Sequence, residues 1–240
     1  MTIRKFAVAA VAVAALTTVV AAPAADDSTA GQGIGAQGWT PIQVGIFAPV
    51  SIPWDNYWDV KGFDLNLFYM ETVKLQGVAI SGVATRTKDE VRGVVVTGLC
   101  NWNEKDFYGI NLTLGVNLAF EDVYGVQGGL FGMRRFMGGF DANFLGAHQA
   151  NFSGVQCAGL CNFTLDTFKG AEISLGLNMA KTVKGAQLGG INFTHELTGT
   201  QIGFFNITEE CQSGIQLGLI NIILDNKVKI LPITNFYFDF

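Results

Sequence analysis

The sequence is poor in charged residues, histidine and cysteine, and each shortage argues against a class of function. Only 15% of its 240 residues are charged, and the formal net charge is −5, whereas a nucleic-acid-binding protein normally presents a basic surface. The two histidines and four cysteines show neither metal-ligand spacing nor a nucleophile motif. We therefore expect a protein that is not an enzyme and does not bind nucleic acid, and we assign no catalytic residue, metal or cofactor.

No hydrophobic run after residue 24 is long enough for a membrane-spanning helix. Residues 1–24 begin with Arg4 and Lys5, continue as an apolar stretch and end on small residues. This order predicts a signal peptide that is cleaved before Ala25, and hence export across the inner membrane. The polar, glycine-rich residues 25–39 are interpreted as a flexible lead-in. Residues 40–240 are predicted to form a single β-repeat domain.

Glycine, in contrast, is abundant, with 30 copies, and eleven of them open similar units that follow one another at steps of 14 to 16 residues. The best copies run Gly, apolar, Gln, apolar, Gly and close on Asn, as in residues 185–192 and 214–221. A repeat of this kind predicts one domain built from equivalent units. The leading glycines are Gly62, Gly77, Gly93, Gly109, Gly125, Gly139, Gly154, Gly170, Gly185, Gly199 and Gly214.

Within each unit, apolar residues alternate with polar or small ones. In residues 109–120, for example, Ile110 and Leu112 lie on one face of an extended chain, and Asn111 and Thr113 lie on the other. A period of two residues is typical of a β-strand, whereas a helix would scatter both sets around its axis. The sequence therefore predicts an all-β protein.

Two all-β architectures fit the repeat. The first is an antiparallel transmembrane β-barrel of about 12 strands, with the apolar face toward lipid and the polar face toward a lumen. The alternative is a single-domain β-solenoid, in which each unit of about 15 residues forms one coil. The third position of the unit favours the barrel, because acidic or Asn residues alternate there with Gln at a weak two-unit period. The candidate lumen-facing residues are Asp64, Asn111, Asp141, Glu172, Gln127, Gln156, Gln187 and Gln216.

The C-terminal residues carry aromatics at alternate positions, Phe236, Phe238 and Phe240. This ending resembles the C-terminal assembly signal of bacterial outer-membrane barrels. The resemblance implies that outer-membrane lipid and the barrel-assembly machinery are the partners of a barrel. An ordinary final edge strand or a solenoid cap is the alternative interpretation.

The tandem pattern G-x-Q-x-G-x-x-N, behind a signal peptide and the openings TPIQVGIFAPV and DVKGFDLNLFY, resembles the uncharacterised surface-repeat proteins first described in spirochaetes. The likeness covers residues 40–240. It implies a location in the envelope or at the surface of a two-membrane bacterium, and it implies no activity. Units that begin at Gly77, Gly125 and Gly139 lack the closing Asn, which argues against a continuous Asn ladder.

These patterns together predict a non-enzymatic cell-envelope protein. The main expectation is a small outer-membrane barrel with a surface, structural or modest pore role. The alternative is a secreted or surface β-solenoid, periplasmic or extracellular, that acts as a binding or adhesion module. The sequence does not decide whether Cys100, Cys157, Cys161 and Cys211 form disulfides.

Overall fold

The computed structural model describes residues 36–54 and 57–238. The predicted signal peptide, most of the predicted lead-in and Phe240 lie outside these residues. From Ala36 onward the chain forms one compact unit, and its first strand begins at Gly38, two residues inside the predicted lead-in. Among the described residues, no helix is long and apolar enough to cross a membrane.

All of the regular secondary structure in these residues is β-strand. The units that begin at Gly77, Gly93 and Gly109 contain two short strands each, whereas two long strands in the second half of the chain each continue through several units. The strands are β1 (Gly38–Phe47), β2 (Val50–Ile52), β3 (Trp58–Thr72), β4 (Lys74–Ser81), β5 (Ala84–Thr87), β6 (Val91–Thr97), β7 (Cys100–Asn103), β8 (Phe107–Thr113), β9 (Val116–Ala119), β10 (Asp122–Ala158), β11 (Cys161–Ser174), β12 (Leu177–Ile223) and β13 (Ile230–Phe238).

Consecutive units pair in parallel and in register. Strand β3 pairs with β4 so that Gly62 lies beside Gly77, and β4 pairs with β6 so that Gly77 lies beside Gly93. The same parallel pairing joins β10 to β11 and β11 to β12. The chain is therefore a β-solenoid, and the predicted antiparallel barrel of about 12 strands is wrong. The prediction failed because alternation with period two describes a strand without fixing the direction of its neighbour.

Each coil of the solenoid crosses two parallel sheets that face each other. The first sheet contains β4, β6 and β8, and the second contains β5, β7 and β9. Hydrogen bonds between facing side chains join the sheets, since Thr85 Oγ1 lies 2.7 Å from Thr97 Oγ1 and Asn101 donates to Asn111 over 2.5 Å. Long strands β10 and β12 pass through both sheets. The coil thus has two edges, one where the chain enters the second sheet and one where it returns.

The leading glycines form one column along the first sheet. Ten of them, from Gly62 to Gly199, have φ between 128° and 149°, a conformation open to glycine and strained for other residues. A Cβ on Gly154 would lie 1.9 Å from the carbonyl oxygen of Gly139 in the preceding unit. These glycines therefore permit close approach of neighbouring backbones, which explains why the unit begins with glycine.

The interior is divided between one apolar column and several polar ones. The apolar column lies two residues before each leading glycine from Gly62 to Gly199 and includes Phe107, Phe152 and Phe168, which are at most 1% exposed. Phe152 and Phe168 stack with ring centroids 5.2 Å apart. The rest of the interior consists largely of buried Asn, Gln, Ser and Thr side chains. Hydrogen bonds between units therefore carry much of the cohesion that apolar packing supplies in most domains.

The two ends of the solenoid depart from the parallel pattern. At one end β1 pairs in parallel with β3 and folds back as a short antiparallel hairpin with β2. At the other end β13 pairs antiparallel with β12, so that Phe236 lies opposite Ile215. Strand β13 covers the last open strand of the stack, which is the position of a cap.

Candidate binding surface

The eight candidate polar residues all lie in the interior and belong to one column of the first sheet. Asn111 lies beside Gln127, and Glu172 lies between Gln156 and Gln187. Each is at most 1% exposed. They therefore face the second sheet across a filled interior and do not line a lumen. The two-unit period that favoured a barrel is a variation of residue type along a single column, which also contains Ala79 and Val95.

Side-chain amides connect successive units along this column. Gln187 donates to Glu172 Oε2 over 2.8 Å, and Gln201 donates to Gln187 over the same distance. Gln216 continues the chain by donating to Gln201 over 2.8 Å. Buried amides of this kind fix the register of the stack, because each needs the next unit as its partner.

The closing asparagines form a second ladder, in the second sheet. Amide-to-amide hydrogen bonds of 2.8 to 3.0 Å run from Asn162 through Asn178, Asn192 and Asn206 to Asn221. The equivalent positions in the two preceding units hold Gly132 and Ala147. The sequence correctly argued against a continuous ladder, and the structure shows that it is continuous over the last five of these units.

Three acidic side chains are buried in the interior. Burial raises the pKa of Asp64 to about 7 and that of Glu172 to about 8, although hydrogen bonds from Asn66 and Gln187 oppose these shifts. One carboxyl oxygen of each has no hydrogen-bond partner among the described residues. Burial also raises the pKa of Asp141, against the opposing charge of Arg134, with which it forms a fully buried ion pair. Glu172 is therefore mostly neutral at pH 7, which lowers the cost of burying it.

Burial changes the acid–base properties of the four cysteines and of one histidine. All four cysteines are free thiols, and burial raises the pKa of each, that of Cys211 to about 11. A thiol with a raised pKa is a weak nucleophile at neutral pH. Burial lowers the pKa of His148, and the other histidine, His195, lies 2.7 Å from Glu209 as an ion pair when it is protonated.

At one edge of the coil the chain returns from the second sheet to the first. This edge, here called the charged edge, carries most of the outward charge. Its ion pairs include Lys88 with Glu71 at 2.6 Å and Lys74 with Glu90 at 2.8 Å. Two groups at this edge bring three potential metal ligands within 4.8 Å of one another, His195 with two glutamates and Asp122 with two acidic neighbours. One member of each group also forms an ion pair, His195 with Glu209 and Asp122 with Arg135.

The opposite edge, here called the ridge, is formed by the sixth and seventh residues of each unit. Every ridge residue is glycine or a large apolar residue. Leu114 and Leu175 are the most exposed, at 83% and 84%, and Phe144 is 72% exposed. The ridge pairs are Leu67 and Phe68, Gly82 and Val83, Gly98 and Leu99, Leu114 and Gly115, Leu130 and Phe131, Phe144 and Leu145, Gly159 and Leu160, Leu175 and Gly176, Gly190 and Ile191, Phe204 and Phe205, Leu219 and Ile220.

The outer face of the first sheet is also apolar. Its outward side chains are the second and fourth residues of each unit, such as Ile110 and Leu112, which are 40% and 43% exposed. Within the first seven residues of every unit, the only charged side chains are those of the three buried acids. The ridge and this face therefore form a continuous apolar surface, far larger than the few hundred Å² that a soluble monomer normally exposes.

A column here called the rim borders this surface on the side toward the charged edge. It consists of the residue before each leading glycine and contains no acidic residue. Tyr108 and Tyr124 stack in this column with centroids 5.2 Å apart, and Arg92 lies over the ring of Tyr108 at 5.6 Å. The rim residues are Lys61, Gln76, Arg92, Tyr108, Tyr124, Gly138, Ser153, Lys169, Lys184, Thr198 and Ser213.

An open groove of about 530 Å³ runs along the ridge in the last units. It is lined by Leu175, Phe204 and Leu219, with Ile202 and Leu217 of the first sheet. Ser174, Gly189, Gly190, Gly203 and Gly218 complete the lining. A second groove of about 570 Å³ lies near the rim and includes Tyr124, Arg135 and Lys169.

Comparison of the chain with protein-family models, curated proteins and solved structures gave no match. The sequence predicted that the alternating apolar face points outward, but it identified neither the ridge nor the rim. Their signals are present, since the sixth and seventh residues of each unit contain at least one large apolar side chain, and Lys61, Lys169 and Lys184 directly precede leading glycines. They became visible only when the register placed equivalent positions in columns.

Proposed function

We propose that this protein is a non-enzymatic β-solenoid of the bacterial cell envelope that binds its partner through the apolar ridge and the adjoining face of the first sheet. The supporting observation is the uninterrupted apolar surface on a solenoid whose interior is largely polar. Burial of large apolar side chains is favourable by about 25 cal/mol per Å². A chain that leaves one to four of them exposed in every unit therefore gains free energy when a partner covers them.

Export supports the same proposal, because the predicted signal peptide would deliver the solenoid to the envelope. The envelope location agrees with the resemblance to bacterial surface-repeat proteins. The proposal does not include the pore role, because that role required the lumen of a barrel. Phe236, Phe238 and Phe240 stay a predicted assembly signal, although Phe236 and Phe238 belong to the strand that caps the stack.

Expression in a two-membrane bacterial host tests this proposal. Intact cells are treated with a membrane-impermeant biotin ester, which reacts with exposed lysines such as Lys169 and Lys184. The protein is expected in the envelope fraction and labelled, whereas a Val13→Asp variant, which interrupts the apolar run of the leader, is expected to stay in the cytoplasm. Retention of the unaltered chain in the cytoplasm would contradict the envelope function.

A further inference from the structure

We infer that the apolar surface docks on a lipid bilayer, with the ridge inserted among the acyl chains and the charged edge held in water. This inference rests on the proposed function and names its partner. The arrangement around each coil is that of an amphipathic element, because one edge carries most of the outward charge and the opposite edge carries none. Ten steps of about 4.8 Å give the ridge a length of about 48 Å.

The shape of the surface favours lipid over a second copy of the chain. The most exposed side chains, Leu114 and Leu175, lie at the bend between the two sheets, so the surface is convex there. A flat sheet of a second copy would cover one face and leave the ridge in water. Acyl chains can surround a convex apolar edge, as they do around the apolar face of an interfacial helix.

The rim supplies the groups that such a position requires. Exposed Lys61, Arg92, Lys169 and Lys184 lie at the border of the apolar surface, together with the stacked tyrosines. Lys169 and Lys184 are adjacent in register and form no ion pair with another described residue. Tyrosine and basic side chains are typical of the level of lipid headgroups, where lysine stems extend along apolar surface and place the charge in water. Anionic headgroups are therefore the complementary lipids.

The ridge groove provides an additional apolar site at the same edge. Its lining is formed by aliphatic and aromatic side chains with four glycines, and Ser174 is its only hydroxyl-bearing residue. An acyl chain fits this chemistry, whereas a polar ligand would find few partners. The groove, the ridge and the rim thus point to one kind of partner.

Vesicle flotation with purified residues 25–240, which contain the whole described solenoid, tests the inference. The vesicles are phosphatidylcholine alone or phosphatidylcholine with phosphatidylglycerol at 7:3. The unaltered chain is expected to float with both, and a Leu114→Glu, Leu175→Glu double variant is expected to bind at least tenfold more weakly. Leu165→Glu is the matched control, because Leu165 is 60% exposed but lies at the charged edge beside Asp166.

A Lys169→Gln, Lys184→Gln variant measures the contribution of the rim to vesicle binding separately from that of the ridge. We expect it to lose roughly fivefold in affinity per lysine on the anionic vesicles and little on phosphatidylcholine alone. Two added charges on the ridge can also impair folding, so a second measurement uses single cysteines. An environment-sensitive fluorophore is attached to cysteine in Leu114→Cys or Leu165→Cys, with the native cysteines replaced by alanine. The emission is expected to shift to the blue on vesicles for position 114 only.

Three results would overturn the inference. The first is no flotation of the unaltered chain with either vesicle. The second is equal flotation of the ridge variant and the Leu165→Glu control, together with equal emission at the two labelled positions. The third is a dimer that the ridge variant makes monomeric, without vesicle binding, which would assign the ridge to a second copy. Each leaves the envelope function standing, because export and surface labelling are measured separately.

Discussion

Replacing Glu172 by Gln is expected to stabilise the folded chain at neutral pH. Glu172 is fully buried, and burial raises its pKa to about 8. A glutamine has nearly the same shape, can still accept the hydrogen bond that Gln187 donates over 2.8 Å, and carries no ionisable group. The substitution therefore removes the cost of keeping a carboxyl group neutral inside the solenoid and leaves the column of amides intact.

The magnitude follows from the difference between the pKa values of the folded and unfolded chains. The folded value of about 8 lies above the ordinary value of 4.5, so the folded state holds the proton more tightly than the unfolded state. The wild-type chain therefore loses stability as the pH rises from about 4.5 to about 8, and the loss is constant above that range. At 1.36 kcal/mol for each pH unit, the loss reaches roughly 3 kcal/mol at pH 7.

Urea unfolding followed by far-UV circular dichroism at pH 5, 6, 7 and 8 measures this effect. We expect Glu172→Gln to exceed the wild type in unfolding free energy by an amount that grows with pH. Asp64→Asn should also raise the unfolding free energy by an amount that grows with pH, over the range from pH 3.8 to about pH 7. Asp166→Asn serves as the control at the charged edge, since its side chain is exposed and its charged neighbour is a lysine. A difference between wild type and Glu172→Gln that is the same at pH 5 and pH 8 would refute the reasoning.

Three further substitutions test the interior by the same unfolding measurement. Gly154→Ala should cost at least ~2 kcal/mol, because φ is 139° and Gly139 O would lie 1.9 Å from the new Cβ. Gly128→Ala is the control and should change stability by less than ~1 kcal/mol, because the nearest contact of its Cβ is at 3.3 Å. Equal costs of the two substitutions would contradict the role of the glycine column. Asn192→Ala removes hydrogen bonds of 2.8 to 2.9 Å to Asn206, Asn178 and Ile202 O and should cost about 3 kcal/mol. Thr198→Ala is the control, because half-buried Thr198 forms a single hydrogen bond at the surface, and it should cost less than ~0.5 kcal/mol. Arg134→Met should cost about 3–5 kcal/mol, because it leaves Asp141 buried without its counterion. Adding Asp141→Asn should recover part of this loss of stability. A double variant that is no more stable than Arg134→Met would argue against the buried ion pair.

The strands and the residues that share each face could be predicted from the sequence, because both depend on local alternation. Ile110 and Leu112 lie on one face and Asn111 lies on the other, as their spacing indicates, although the sequence placed the apolar face outward only for the barrel. The leading glycines were also predictable, since their regular position signals a repeated backbone requirement. What alternation leaves open is the pairing partner, because a strand has the same pattern whether its neighbour is parallel or antiparallel.

The error about the barrel came from the third position of the unit. Asp64, Asn111, Asp141 and Glu172 suggested one class of strand and the glutamines another, although all occupy one column in which a carboxyl group and an amide accept the same hydrogen bond from the next unit. The candidate surface was harder to predict, because the ridge and the rim are each built from one or two residues per unit. The ridge and the rim can be recognised only when the register of the strands is known, because it aligns the equivalent residues of successive units.

Pulsed electron paramagnetic resonance between two spin labels tests the parallel stacking most directly. Labels are placed at rim positions in a chain whose native cysteines are replaced by alanine, with one fixed at Lys184 and the other at Lys169, Tyr124, Arg92 or Lys61. In the solenoid, each additional unit adds about 4.8 Å, so Arg92 and Lys184, six units apart, should be separated by about 29 Å between backbones. We predict a separation that increases steadily from Lys169 to Lys61. A separation that is larger for Lys169 than for Tyr124, or that decreases again toward Lys61, would contradict the solenoid.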